Sequence, residues 1–166
     1  MIGDRWGVTD RETAMHYPCD DFVPHPVLQL WRGITVNAPP ERVWPWVAQI
    51  RLAPYSYDWI DNGGRTSPRE LRGLPEPVVG ENFSTAAGRP LGHILSAEPG
   101  RHLTGRIMGA VMSYVLTPHG HGTRLLLKIS AAKGRLTAPA LSLGDLVMAR
   151  RQLLNLKRLA ESPEQL

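Results

Sequence analysis

Apolar and polar positions alternate with a period of two over much of this chain, and the alternation first becomes regular at Leu30. Leu30, Ile34 and Val36 fall on one side of residues 30–37 with Arg32 among them, and Trp31, Gly33, Thr35 and Asn37 fall on the other. That spacing, rich in β-branched residues, predicts a half-buried strand. Arg32 on its apolar side either reaches solvent along its long stem or lines a wet, polar space. The period changes after Ala38-Pro39-Pro40. Val43, Trp46, Val47 and Ile50 recur at i, i+3, i+4 and i+7, one face of a helix. Proline at a first helical position gives up no hydrogen bond, and Glu41 suits the positive end of the helix. Pro45, past the first turn, makes this helix short or bent. A second helical stretch is expected over residues 55–60, stopped by Asn62-Gly63-Gly64.

Beyond Glu81 the alternation returns. Strands are expected over residues 82–86, 91–97, 101–107, 110–116 and 123–131, divided by Ala87-Gly88, Glu98-Pro99-Gly100, Gly109 and the run from Pro118 to Gly122. Short breaks rich in Gly and Pro join antiparallel neighbours. Met112, Tyr114 and Leu116 share one face. Leu125, Leu127 and Ile129 oppose Arg124, Leu126 and Lys128, and Leu126 spoils the polar side, so cover on both sides of that strand is expected. The two faces of residues 101–107 do not separate cleanly. A last helix, over residues 140–161, carries Leu146, Val147, Leu153, Leu154 and Leu156 on its apolar side and is long enough, at ~30 Å, to cross a small sheet. Ser142 with Asp145 reads as a capping box at its start.

Two segments remain. Residues 1–28 form an arm: Thr9 caps a short helix, and Pro18, Pro24 and Pro26 then hold an extended path across the core. Residues 63–80, rich in Gly, Pro and Arg, form a long connection over a pocket mouth, either a lid or a plain linker.

Composition narrows the class. The 166 residues suit a single domain, and 42% apolar with 20% charged residues is ordinary for a soluble globular chain. No run of ~18 apolar residues predicts a membrane-spanning helix, and residues 1–12 lack the apolar centre of a secretion signal. One cysteine, Cys19, gives no intrachain disulfide framework and fits a reducing, cytoplasmic setting. Its neighbours Asp20 and Asp21 disfavour a thiolate. The net charge of +4 is scattered, with pairs only at Arg150-Arg151 and Lys157-Arg158, so no nucleic-acid partner is expected. His119 and His121 share a turn without a nearby carboxylate or thiol, which predicts no metal; His93 and His102 lie on separate strands that could bring them together. No GxSxG, Walker or GxGxxG motif calls for a cofactor.

The strand running into APPERVWPWVAQI and then YSYDWIDN, with YPCDDFVP upstream and GHGTRLLLKI and MARRQLLNLKRLAE downstream, resembles the START/Bet v 1-like (SRPBCC) superfamily, in its polyketide cyclase/dehydrase-like branch. The similarity runs from about residue 15 to about residue 161. It implies an α+β helix-grip fold: a curved antiparallel sheet of six to seven strands around a long C-terminal helix, with two short helices after the first strand. In the resembling family a glycine commonly stands where Asn155 stands here, so the last helix is expected to pack differently. The resemblance also implies an apolar cavity between sheet and helix. Its expected lining is Arg32, Ile34, Tyr55, Tyr57, Trp59, Met112, Tyr114, Leu116, Leu125, Leu127, Met148 and Leu153. Three functions fit such a cavity. The chain binds or carries a hydrophobic small molecule such as a lipid or polyketide; or it is a cyclase, aromatase or dehydratase using Asp58 and Tyr114, with Arg124, as proton-moving or positioning groups; or it is an interaction module, monomeric or dimeric, whose interior is filled by Trp44, Trp46 and Trp59.

Overall fold

The computed structural model describes residues 3–56, 62–133 and 138–163, and within 138–147 only the backbone. An N-terminal arm comes first: strand β1 (Arg5–Trp6), helix α1 (Asp10–Ala14) and a 3-10 turn (Pro18–Asp21). Strand β2 (Leu28–Val36) leads into helix α2 (Pro40–Ala48), which a further 3-10 turn (Gln49–Arg51) prolongs. The meander β3 (Asn82–Ala86), β4 (Arg89–Glu98), β5 (His102–Ile107), β6 (Ala110–His119) and β7 (Gly122–Ala131) follows, and helix α3 (Ala138–Glu161) ends the domain. The strands form one curved seven-stranded sheet in the order β1-β2-β7-β6-β5-β4-β3. Every pairing is antiparallel except β1 on β2. The helix-grip α+β architecture read from the sequence is therefore the observed one.

Of the boundaries that move, most move outward, by one to three residues. β6 continues through Pro118, which faces Thr123, to a tight turn at Gly120-His121 where Gly120 has φ of 59°. Pro118 lies beyond the last β5 partner, Val115, so β6 is an edge there and the missing N–H costs no ladder bond on that side. α3 starts at Ala138, so Ser142 and Asp145 lie inside the helix and not at its start. Thr9 does cap α1: its side chain accepts from the Glu12 amide while Glu12 reaches back to the Thr9 amide. The helical stretch expected over residues 55–60 falls mostly on 57–61, outside the described residues.

The sheet is covered on both faces. On the inner face Leu30, Leu103, Leu116, Leu125, Leu127 and Ile129 pack with Val43, Trp46 and Val47 of α2 and with Leu153 and Leu156 of α3. On the outer face Trp31, Val111 and Leu126 meet Tyr17, Cys19 and Val23 of the arm. That second layer explains why Leu126 interrupts a polar strand face. Arg124 and Lys128, its neighbours on the same face, anchor the arm. The Arg124 guanidinium donates from Nε and Nη2 to the two Glu12 carboxylate oxygens at 2.8 and 2.9 Å, and Lys128 Nζ reaches Asp20 Oδ1 at 2.5 Å. Burial alone would raise the Glu12 carboxyl; the Arg124 hydrogen bonds and charge, with the Thr9 amide, hold it below the ordinary range. Cys19 is buried, its amide donates to Ser113 Oγ at 2.8 Å, and burial pushes its thiol up.

His102 does not meet His93, which faces Asn82 and Arg106; His102 faces Val115 and Glu98. Its Nδ1 is buried with no hydrogen-bond partner among the described residues. Burial lowers its pKa below the ordinary 6.5, against the upward pull of Glu98. In the window just below 6.5 the unfolded chain binds more protons at this histidine, so stability falls as pH falls through it. Urea unfolding at pH 7.5 and 5.5 is expected to show a smaller acid loss in His102→Gln than in the parent. Equal losses in both would remove His102 as a source of acid sensitivity.

Candidate functional site

α3 packs on the inner face along β2 and against α2, and space remains over β3–β6, where the sheet carries small side chains. Ser84 and Ala86 on β3 and Ala149 on α3 keep the walls apart, and Gly105 on β5 lets the Phe83 ring lie directly on the strand, where a Cβ would overlap the ring. The result is a cavity of about 170 Å³. Its floor is buried: Ile50, Phe83, Ser84, Tyr114 and Ala149. Its entrance is half-buried: Ala86, Leu91, Ile107, Met112 and Met148, with Pro54 and Ser56 at the side.

The polar groups in its wall are hydrogen-bonded to one another and to backbone. The Tyr114 hydroxyl donates to Gln152 Oε1 at 2.6 Å, and Gln152 Nε2 donates to the Pro54 carbonyl at 2.7 Å. Ser84 Oγ donates to the Ile50 carbonyl at 2.9 Å. One turn along α3, Asn155 Nδ2 donates to the Tyr55 carbonyl at 3.0 Å, so Asn155 ties α3 to the chain leaving α2. Tyr114 is the one titratable side chain among the described lining residues.

Of the expected lining, the structure brings Met112, Tyr114 and Met148 to this cavity. Leu116, Leu125, Leu127 and Leu153 belong to the close-packed core and do not line it; Ile34 packs half-buried against that core. Tyr55 is buried nearby in a left-handed conformation (φ 55°), its hydroxyl donating to the Pro68 carbonyl at 2.7 Å. Arg32 is 0% exposed and faces inward opposite Leu127, so it does not reach solvent along its stem; its Nη1 donates to the Asp4 and Trp31 carbonyls, each at 2.8 Å. Arg124 lies on the opposite face of the sheet, under the arm. Tyr57, Asp58 and Trp59 lie outside the described residues. Trp44 and Trp46 sit in the core and do not line the cavity.

Residues 63–80 do not line this cavity either. They pack along α2 and its 3-10 extension, held by side chains. Trp44 Nε1 donates to Glu76 Oε2 at 2.8 Å, Gln49 bonds the Glu70 carbonyl and the Arg72 amide, and an Arg51 Nη2 donates to the Pro75 carbonyl. A groove of about 310 Å³ remains between α2 and residues 71–76.

Ile50, Phe83, Ile107 and Gln152 were not foreseen as lining residues. Gln152 had a legible signal. With Ala149, Leu153 and Leu156 it completes an i, i+3, i+4, i+7 stripe, and a lone amide on an apolar stripe needs a partner.

No family model matches the chain, and no curated protein matches it. Solved structures do. A protein from Mesorhizobium loti is 21% identical over 79% of this chain and 95% of its own, with a TM-score of 0.55. One from Staphylococcus saprophyticus is 13% identical over 81% of this chain and 92% of its own, with a TM-score of 0.58. An AHSA1-like protein from Aeromonas hydrophila is 18% identical over 81% of this chain and 92% of its own, with a TM-score of 0.53. At these identities the likeness is one of fold: a helix-grip domain of the shape found in AHSA1-like proteins. No helix among the described residues is long and apolar enough to cross a membrane.

Proposed function

We propose that this protein binds a small, largely apolar molecule between the inner face of the sheet and α3. The cavity carries the proposal: about 170 Å³, walled by Phe83, Leu91, Ile107, Met112 and Met148, with one hydrogen-bonded polar strip at Tyr114 and Gln152. Ligand sites have this composition, apolar walls with a few placed polar groups. An engineered apolar cavity of about 150 Å³ takes up benzene. A body of one ring or a short chain therefore fits here, whereas a whole sterol or diacyl lipid does not. Acid–base catalysis needs a second group within reach of the first. The apolar lining, with Tyr114 as its one titratable side chain among the described residues, supports binding more directly than the cyclase or dehydratase reading. Placement in the polyketide cyclase/dehydrase-like branch, and a cytoplasmic site of action, belong to the same proposal and rest on the sequence motifs and the single cysteine.

Methyl NMR tests it. The chain has five methionines, two of them in the cavity wall. Titration with 3-phenylpropan-1-ol is expected to shift the methyls of Met112 and Met148 and to leave Met15 and the exposed Met108 in place. In Met112→Trp, which fills the entrance from a half-buried position, the affinity is expected to fall at least ~10-fold with the melting temperature little changed. Saturating probe with neither cavity methyl moving would end the proposal.

A further inference from the structure

The entrance carries charge on one side. Arg89 begins β4 directly opposite Ala86, and directly opposed residues in an antiparallel pair project to the same face. Ala86 lines the cavity, so Arg89 stands on the cavity face at its edge. The two residues between them turn tightly, with φ of 51° at Ala87 and 75° at Gly88. The Arg65 guanidinium lies against this turn, where a Cβ on Gly88 would overlap its Nη1. Asn62 fixes the arrangement: its Nδ2 donates to the Arg65 carbonyl at 2.7 Å, and its Oδ1 accepts from the Ala87 amide at 3.2 Å. Both arginines are exposed, and no carboxylate among the described residues pairs with either. Arg5, Arg51, Arg72, Arg101 and Arg124 each have an acidic partner.

We infer that the bound molecule is an amphiphilic monocarboxylate, its apolar body in the cavity and its carboxylate held at the entrance by Arg65 and Arg89. The inference rests on the proposed binding reading and adds the ligand's chemical class. A guanidinium presents parallel N–H donors that match a carboxylate, and it stays charged at any working pH. The β3–β4 turn sets Arg89 opposite the wall residue Ala86 and holds the Arg65 guanidinium against Gly88, two residues from that wall. Selection is then by two criteria together: an uncharged body of about ring size and one anionic end.

Calorimetry with a matched pair of probes decides the matter. At low ionic strength 3-phenylpropanoate is expected to bind at least ~10-fold more tightly than 3-phenylpropan-1-ol. Raising the salt should erode the carboxylate's advantage and leave the alcohol unchanged. In Arg65→Met/Arg89→Met the advantage should vanish while alcohol affinity persists, which also shows that the variant is folded. Equal affinities in the parent, or an advantage that survives the double substitution, would overturn the inference and leave the cavity reading standing. Binding of neither probe would overturn both.

Discussion

Replacing Trp46 by alanine is expected to cost about 3–5 kcal/mol of stability, the range for truncating a fully buried Trp. Trp46 is 1% exposed and heads the largest fully buried side chains. It sits on the stripe of α2 that the sequence already marks, and its ring meets Tyr55 edge-on, centroids 6.3 Å apart at 84°. Tyr55 in turn bonds Gln49 and Pro68, so the tryptophan supports the segment from which Pro54 and Ser56 reach the cavity. For a domain of this size the loss corresponds to a fall of roughly 6–20 °C in melting temperature. Trp46→Phe, which keeps much of the packed area, should lose less. A change below about 1 kcal/mol in Trp46→Ala, read by urea unfolding, would show that the Trp46 ring does not anchor the packing of α2.

Gly105→Ala is expected to close the cavity from within. The new methyl would occupy space held by the Phe83 ring, and the open direction for that ring is the cavity that it lines. Overpacking of this kind costs about 1–3 kcal/mol. Binding of 3-phenylpropan-1-ol should weaken at least ~10-fold, since the displaced ring occupies the ligand's place, and tenfold corresponds to about 1.4 kcal/mol. Shrinking the ring should undo the damage: Gly105→Ala/Phe83→Leu is expected to recover much of the affinity, a non-additive pair as neighbours in contact are. Undiminished binding in Gly105→Ala would mean that Phe83 yields in another direction and does not set the cavity's size.

The fold was legible because its signals are local and redundant. Alternation located β2 to β7 to within a few residues, the i, i+3, i+4, i+7 stripe located α2, and the odd leucine at 126 announced that a second layer covers the sheet. The cavity was legible only in part, because a stripe of apolar residues says which way it faces and not whether anything fills the far side. Leu125 and Leu127 share a face with Met112 and Tyr114, yet the two leucines are fully buried in the core while Met112 and Tyr114 line the cavity. That difference depends on absent side chains: Gly105, Ser84, Ala86 and Ala149 create space only where the pairing β3-β4-β5-β6 and α3 bring them together. Arg32 shows the same limit. Its partners are the Asp4 and Trp31 carbonyls, and the first becomes a neighbour only when β1 lies parallel beside β2.

The pairing of β2 with β7 bears on how the chain comes off the ribosome. Leu28 lies opposite Ala131, so β2 is made long before its antiparallel neighbour β7 exists, with only the two-residue β1 already available to pair with it. At ~5–20 residues per second the wait lasts several seconds. Throughout that interval Leu28, Leu30, Trp31, Ile34 and Val36 form an unpaired, sticky segment of the kind that seeds aggregates. A charge in the middle of such a segment is a gatekeeper against self-association. Arg32, buried once the domain is folded, is expected to limit self-association of the nascent strand until β7 arrives.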